Sequence, residues 1–143
     1  MMYEMWLTGR TRLTGQLDSI SEDDLSKRLH PESNSVGWML RHMAEVELLF
    51  AKNVFGKELE IKAQTIGSLA KDRGKFTKLK ELLDMIEEAE NELGSAIKDI
   101  SDWEGTVTTA EFGTVTKAQA LGRVMTHTAL HSGQLSLALK YGS

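Results

Sequence analysis

Hydrophobic residues recur at the spacing of an amphipathic helix, three or four positions apart, in four stretches of this sequence. We expect four helices, at about residues 2–19, 36–55, 76–100 and 117–140. Between the first two, Ser21 and Asp24 have the spacing of a capping box and predict a short helical turn. Asn34 or Ser35 is placed to cap the second helix, which is expected to end near Gly56.

The segment between the second and third helices has a different pattern. Residues 57–74 are polar and interrupted by glycine, with apolar anchors only at Ile61, Ile66 and Leu69. Such a stretch is too long for a tight turn between helices, so we expect a long crossover.

The segment before the fourth helix is rich in threonine and valine, with Gly113 near its middle, and predicts a small hairpin or an extended loop. Thr116 and Gln119 then form a capping-box signature at the start of the helix. We therefore expect one all-α domain over residues 1–143. Its fold is a four-helix bundle, with a long crossover after helix 2 and a short extended or hairpin segment before helix 4.

Composition narrows the classes of partner. The chain has no cysteine, which excludes disulfides, zinc–thiolate sites and cysteine nucleophiles and favours a cytoplasmic location. Its net charge of −4 argues against nucleic acid as a partner, because neutralising phosphates is the main source of that affinity. No stretch approaches the length of a membrane span, so no membrane partner is expected.

Three of the four histidines lie on apolar helix faces. His42 falls between Trp38 and Val46 in the stripe of the second helix, and His127 and His131 are four residues apart on the inner face of the fourth. Imidazoles aimed at a core need polar partners, and a divalent metal would satisfy all three. The alternative is a hydrogen-bonded structural cluster without metal.

A three-histidine site would leave at least one coordination position open, which is typical of catalytic rather than structural metal sites. Imidazole ligands suit zinc, nickel, iron or copper, so they do not choose among these metals. Two further residues lie close by: Glu45, one turn after His42, and Gln134, one turn after His131. Glu45 is a candidate proton shuttle or acceptor behind a ligand, and Gln134 a candidate for orienting substrate or a ligand histidine.

The segment NSVGWMLRHMAEVE, followed much later by HTALHSGQL, resembles the DinB-like family. That family shows an Asn-Ser-hydrophobic-Gly-Trp entry into the second helix, a histidine one turn later, and His-x3-His-x-Gly-Gln in the fourth helix. Those positions correspond here to Asn34–Trp38, His42 and His127–Gln134. The resemblance covers most of the chain and is weakest in the crossover.

The resemblance implies a bundle of unusual connectivity, a divalent metal held by the three histidines, and a homodimer. Zinc or nickel is the metal expected first, with iron or manganese as alternatives. Relatives include bacillithiol S-transferases and mycothiol-dependent maleylpyruvate isomerase. We therefore expect a metal-dependent enzyme that transfers a low-molecular-weight thiol to a small electrophilic substrate. Metal-dependent hydrolysis and a non-catalytic, stress-responsive metal-binding or dimerisation role are the alternatives.

Overall fold

The computed structural model describes residues 1–143, except for the side chain of Leu69. The predicted anchor at that position therefore lies outside the described residues. Over the described part of the chain, four α-helices and one two-stranded antiparallel sheet form. They are α1 (Met2–Leu17), α2 (Val36–Asn53), α3 (Leu79–Asp99), β1 (Thr106–Thr109), β2 (Gly113–Thr116) and α4 (Lys117–Tyr141). Short 3-10 turns occur at Glu22–Ser26 and Gly67–Leu69.

The capping signals in the sequence correctly mark where elements begin. The Ser35 hydroxyl accepts the Trp38 N–H at 3.2 Å at the start of α2. At the start of α4, Thr116 and Gln119 exchange side-chain-to-backbone hydrogen bonds of 2.9 and 3.1 Å. These bonds satisfy N–H groups that have no partner within the helix.

The predicted start of the third helix near residue 76 is wrong, because α3 begins at Leu79. A Cβ on Gly37 would lie 2.0 Å from the Phe76 carbonyl oxygen, so the residues before α3 pass directly over the start of α2. Glu22 then accepts the Leu79 N–H at 3.0 Å. These long-range contacts fix the helix start, and the local apolar spacing does not reveal them.

Contacts between the helices define their directions. Tyr3 lies against Lys98 and Arg10 against Ile86, so α1 and α3 are antiparallel. Gln16 donates to the Ser132 carbonyl, and further contacts show that α4 is parallel to α1 and antiparallel to α2. It follows that α2 and α3 are parallel neighbours. The chain must travel back along the bundle between them, which is why a long crossover connects them.

A charged pair lies in the centre of the bundle, which the sequence reading did not anticipate. Arg10 and Glu47 are almost completely buried, and the Arg10 Nε atom lies 3.0 Å from a Glu47 carboxylate oxygen. Arg10 also donates to the Ile86 carbonyl at 2.9 Å. Burial raises the pKa of Glu47, and the Arg10 guanidinium opposes that effect. The pair links α1, α2 and α3 between the two hydrophobic clusters of the core.

Two anchors hold the far end of the crossover at the start of α2. The Asp72 carboxylate accepts the N–H groups of Ser35 at 2.7 Å and Gly74 at 2.8 Å, and it pairs with Arg28 at 3.2 Å. Gly37 provides the second anchor by allowing the Phe76 carbonyl to approach. Among the described helices, none is both long enough and apolar enough to cross a lipid bilayer.

Candidate metal centre

The three inward-facing histidines meet between α2 and α4. One nitrogen from each of His42, His127 and His131 lies within 4.8 Å of the others. The Nε2 atoms of His42 and His127 are 3.0 Å apart. Two nitrogens bound to one tetrahedral zinc ion at about 2.0–2.1 Å would be roughly 3.3 Å apart. The three imidazoles therefore fit a single divalent ion.

The orientation of His42 is fixed from behind by Thr65 of the crossover. The Thr65 hydroxyl donates to Glu45 Oε1 at 2.8 Å and lies 3.1 Å from His42 Nδ1. Its one proton is used on the carboxylate, so Nδ1 must be the donor to Thr65. The remaining nitrogen of His42, Nε2, then has its lone pair free and directed at the other histidines. Trp38 stacks on the same ring at 4.6 Å and limits its rotation.

Gln134 holds the third histidine in the same way. The His131 Nδ1 atom lies 2.7 Å from Gln134 Oε1, and an amide oxygen can only accept. The bond therefore leaves His131 Nε2 free for a metal. This geometry fits the role of orienting a ligand histidine, one of the two roles expected for Gln134.

His42 and His127, the two histidines whose Nε2 atoms lie 3.0 Å apart, are uncharged at neutral pH. Burial, followed by the neighbouring His131, lowers the pKa of His42 to about 4. Burial, followed by the charges of His131 and His42, lowers the pKa of His127 to about 3. Neutral imidazole is the form that binds a metal, so the site is prepared for coordination. His127 Nδ1 is buried and, among the described atoms, has no hydrogen-bond partner.

A cavity of about 990 Å³ opens beside His42 and His127. Its walls come from α2, α4, the crossover and the tip of the hairpin, and most of the lining side chains are apolar. That volume and character are typical of a site for a small organic molecule. Trp38 lines the cavity beside His42, and so do crossover residues 63, 65–67 and 70.

The sequence matches the DinB superfamily over residues 5–135, which is most of the chain. The chain belongs to the DinB superfamily. None of the curated proteins compared with it matches. The expected family is thus confirmed, and the predicted three-histidine set of this DinB chain lies together in space.

Glu45 occupies an unexpected position in this DinB-superfamily site. It is fully buried, and its carboxylate accepts the N–H groups of Gln64 and Thr65, the Thr65 hydroxyl and the Arg41 side chain. It does not line the cavity. Of the two roles expected for Glu45, the geometry fits an acceptor behind a ligand, acting on His42 through Thr65.

Two features of the site were missed by the sequence reading. Thr65 lies in a polar stretch with no periodic pattern, so nothing local marks it as the partner of His42. Phe112, at the hairpin tip, stacks on Phe50 at 6.1 Å and closes one wall of the cavity. Only the fold brings these residues to the histidines.

Proposed function

We propose that this DinB-superfamily chain is a metal-dependent transferase that joins a low-molecular-weight thiol to a small electrophile. One observation carries the proposal: the ring nitrogens of three imidazoles converge to within 4.8 Å, and two of the three histidines, His42 and His127, line a largely apolar cavity. A divalent ion held there, zinc or nickel, would lower the pKa of a coordinated thiol and keep it as thiolate at neutral pH.

The residues of the chain supply positioning and exclusion of water. Glu45 and Thr65 set the orientation of His42, and Gln134 sets that of His131. The apolar wall, including Val46, holds the carbon body of the electrophile. In the reaction the thiolate sulfur forms a bond to the electrophilic carbon. The leaving group departs with the electrons of the broken bond, and the proton of the thiol passes to solvent.

The test uses untagged protein, purified without a nickel column. Its metal content is measured by elemental analysis, and turnover is followed with monochlorobimane and a panel of thiols that includes cysteine and cysteinylated sugars. We expect about one divalent ion per chain and thiol-dependent loss of chloride. His127→Asn should lose both metal and turnover.

The fourth histidine provides a matched control. His30 lies in an exposed turn, where its ring nitrogen accepts the Glu32 N–H. His30→Asn should therefore keep metal and turnover. Metal-loaded protein without turnover for any thiol would overturn the transferase, and protein without bound metal would overturn both the transferase and the metal centre.

Metal-dependent hydrolysis has less support from the contacts. That reaction needs a general base within reach of the attacking water. Glu45 was the candidate, and its two oxygens are directed at the crossover backbone and Arg41 rather than at the cavity. Thiol transfer needs no such base once the thiol is ionised, so it is the reaction we favour.

We further propose that two copies associate through α4. Leu130, Leu137 and Tyr141 are 62%, 47% and 65% exposed and follow one another at helical spacing along this helix. A second copy, related by a two-fold axis, would cover this stripe with its own.

Light scattering should give the mass of two chains for the unsubstituted protein and the mass of one chain for Leu137→Glu. Leu29→Glu, at an equally exposed leucine elsewhere, should leave the dimer intact, and a monomer in the unsubstituted protein would refute it.

A further inference from the structure

An arginine lies on the cavity wall one helical turn before His127. Arg123 lines the cavity, and residues four apart on a helix have neighbouring side chains, with Cβ atoms about 5–6 Å apart. Its charge therefore lies near whatever occupies the space in front of the histidines.

Arg123 lies against an aromatic ring and not against a carboxylate. Its guanidinium carbon lies 4.7 Å from the centre of the Phe112 ring, and Phe112 in turn stacks on Phe50. Arg10 and Arg41 contact carboxylates, whereas among the described residues Arg123 contacts none. Among the described residues no acceptor takes a hydrogen bond from its guanidinium, so the N–H groups of Arg123 are available to a ligand.

The free edge of a guanidinium is shaped for one kind of ligand. Two parallel N–H groups match the two oxygens of a carboxylate and form a bidentate, charge-assisted pair. The other walls of the cavity are mostly apolar, so the rest of the ligand must be apolar as well. Glu111 is the other charged residue on the cavity wall, and its sign is wrong for binding an anion.

We propose that Arg123 binds a carboxylate of the ligand, so that the molecule handled by this site is an organic acid with an apolar body. The proposal rests on the proposed function in placing the reacting carbon or sulfur beside the histidines. The carboxylate belongs either to the electrophile or to the thiol, and the chemistry at Arg123 is the same for both.

The test compares acids with their neutral amides by calorimetric titration of the metal-loaded protein. One arm uses 4-phenylbutyrate and 4-phenylbutyramide, standing for the electrophile. The other uses N-acetylcysteine and N-acetylcysteine amide, standing for the thiol. In one arm the acid should bind roughly tenfold more tightly than its amide, and Arg123→Gln should remove that preference. The arm that responds identifies which substrate carries the carboxylate.

Two controls separate this contact from other effects. A carboxylate that coordinates the metal directly favours the acid in the unsubstituted protein and in Arg123→Gln alike, so only the difference between them reports on Arg123. Glu111→Gln, which removes the other charge of the cavity wall, should keep or increase the preference for the acid. Arg123→Lys should retain part of it, since the charge remains without the bidentate geometry.

Equal binding of acid and amide in both arms, or a preference that survives in Arg123→Gln, would overturn the proposal. The outcome is independent of the transferase test, because monochlorobimane is a neutral electrophile. A preference for acids without thiol turnover would leave the carboxylate site standing and remove the transferase. Thiol turnover without a preference for acids would leave the transferase standing and remove the carboxylate site.

Discussion

At the scale of single residues, the groups behind the histidines decide which nitrogen is available to a metal. The Thr65 hydroxyl and the Gln134 amide oxygen each accept a hydrogen bond from an Nδ1–H group, so Nε2 carries the lone pair in His42 and in His131. Glu45 determines the first of these by accepting the hydrogen bond that the Thr65 hydroxyl donates. The buried Glu45 carboxylate thus orients His42 without touching it, through the Thr65 side chain that lies between them.

Thr65→Val should weaken metal binding about 10- to 100-fold, because valine keeps the shape of threonine but cannot accept a hydrogen bond from His42 Nδ1–H. Thr65→Ser keeps the hydroxyl and should bind metal almost as the unsubstituted protein does. Competition with a chromophoric chelator measures both dissociation constants. Equal affinities for the valine and serine variants would show that the contact does not orient the ligand.

Arg10→Met should lower the free energy of unfolding by about 3–5 kcal/mol, because it leaves the buried Glu47 carboxylate without its partner. Urea denaturation measures the change. Arg12→Met, at an exposed position of the same helix, should change it by less than about 0.5 kcal/mol. The double variant Arg10→Met with Glu47→Leu should recover most of the loss. A loss below about 1 kcal/mol for Arg10→Met would mean that the pair is not desolvated as the structure has it.

At the scale of secondary-structure elements, the crossover carries much of the site. It supplies Thr65 to His42 and several residues to the cavity wall, and it is held by Glu45 at one point and by Asp72 and Gly37 further on. The parallel arrangement of α2 and α3 requires this long connection. The same requirement places a chain segment beside His42 and along one wall of the cavity.

Asp72→Asn should lower the free energy of unfolding by about 1–3 kcal/mol at pH 7. Burial alone would raise the pKa of Asp72, but its hydrogen bonds from Ser35 and Gly74 and the Arg28 charge together hold it below the ordinary value. A lowered carboxyl pKa gives stability that is complete above the unfolded value, near 3.8, and is lost as pH falls through the folded value.

The difference between the Asp72→Asn variant and the unsubstituted protein should therefore shrink as pH falls below about 4. Denaturant unfolding between pH 7 and pH 3 measures it. Asp18→Asn, at an exposed aspartate after α1, should show no comparable loss. A difference that grows on acidification would contradict the assignment.

Gly37→Ala should destabilise the protein by about 1–3 kcal/mol, because the new Cβ would meet the Phe76 carbonyl and push the end of the crossover away from α2. Gly15→Ala is the matched control, since a Cβ there meets nothing within 4 Å. In that helix alanine should stabilise by about 0.5–1 kcal/mol. Thermal melts of both variants give the two signs, and a stabilising Gly37→Ala would refute the close approach.

At the scale of the whole molecule, the three-histidine cluster lies to one side of a core that packs without it. Two hydrophobic clusters and the Arg10–Glu47 pair join the helices, and the three histidines, which belong to neither cluster, are only partly buried. The bundle should therefore fold whether or not metal is bound.

Removal of metal by a chelator should leave the far-ultraviolet circular dichroism helical and the urea transition cooperative. Saturating metal should add stability only through its binding, about 4 kcal/mol at a thousand times the dissociation constant. The melting temperature should accordingly rise with the logarithm of free metal. Loss of helical structure on chelation would instead make the site structural.

The sequence by itself determined the four helices, the capping signals, an extended or hairpin segment before α4, the family and the three histidines. All of these depend on the spacing of residues that are close in sequence, because that spacing determines which side chains share one face of a helix or strand. The predicted third helix failed only at its start, where Gly37 and Glu22 act from distant parts of the chain.

Tertiary structure alone decided what stands behind and in front of the histidines. Glu45 was expected at the edge of an apolar stripe, and only the folded crossover buries it and gives it donors to accept. Thr65 and Phe112 lie in stretches without periodicity, and Arg10 meets Glu47 from 37 positions away. Side chains so distant in sequence form no local pattern from which their contact could be predicted, because only the path of the whole chain brings them together.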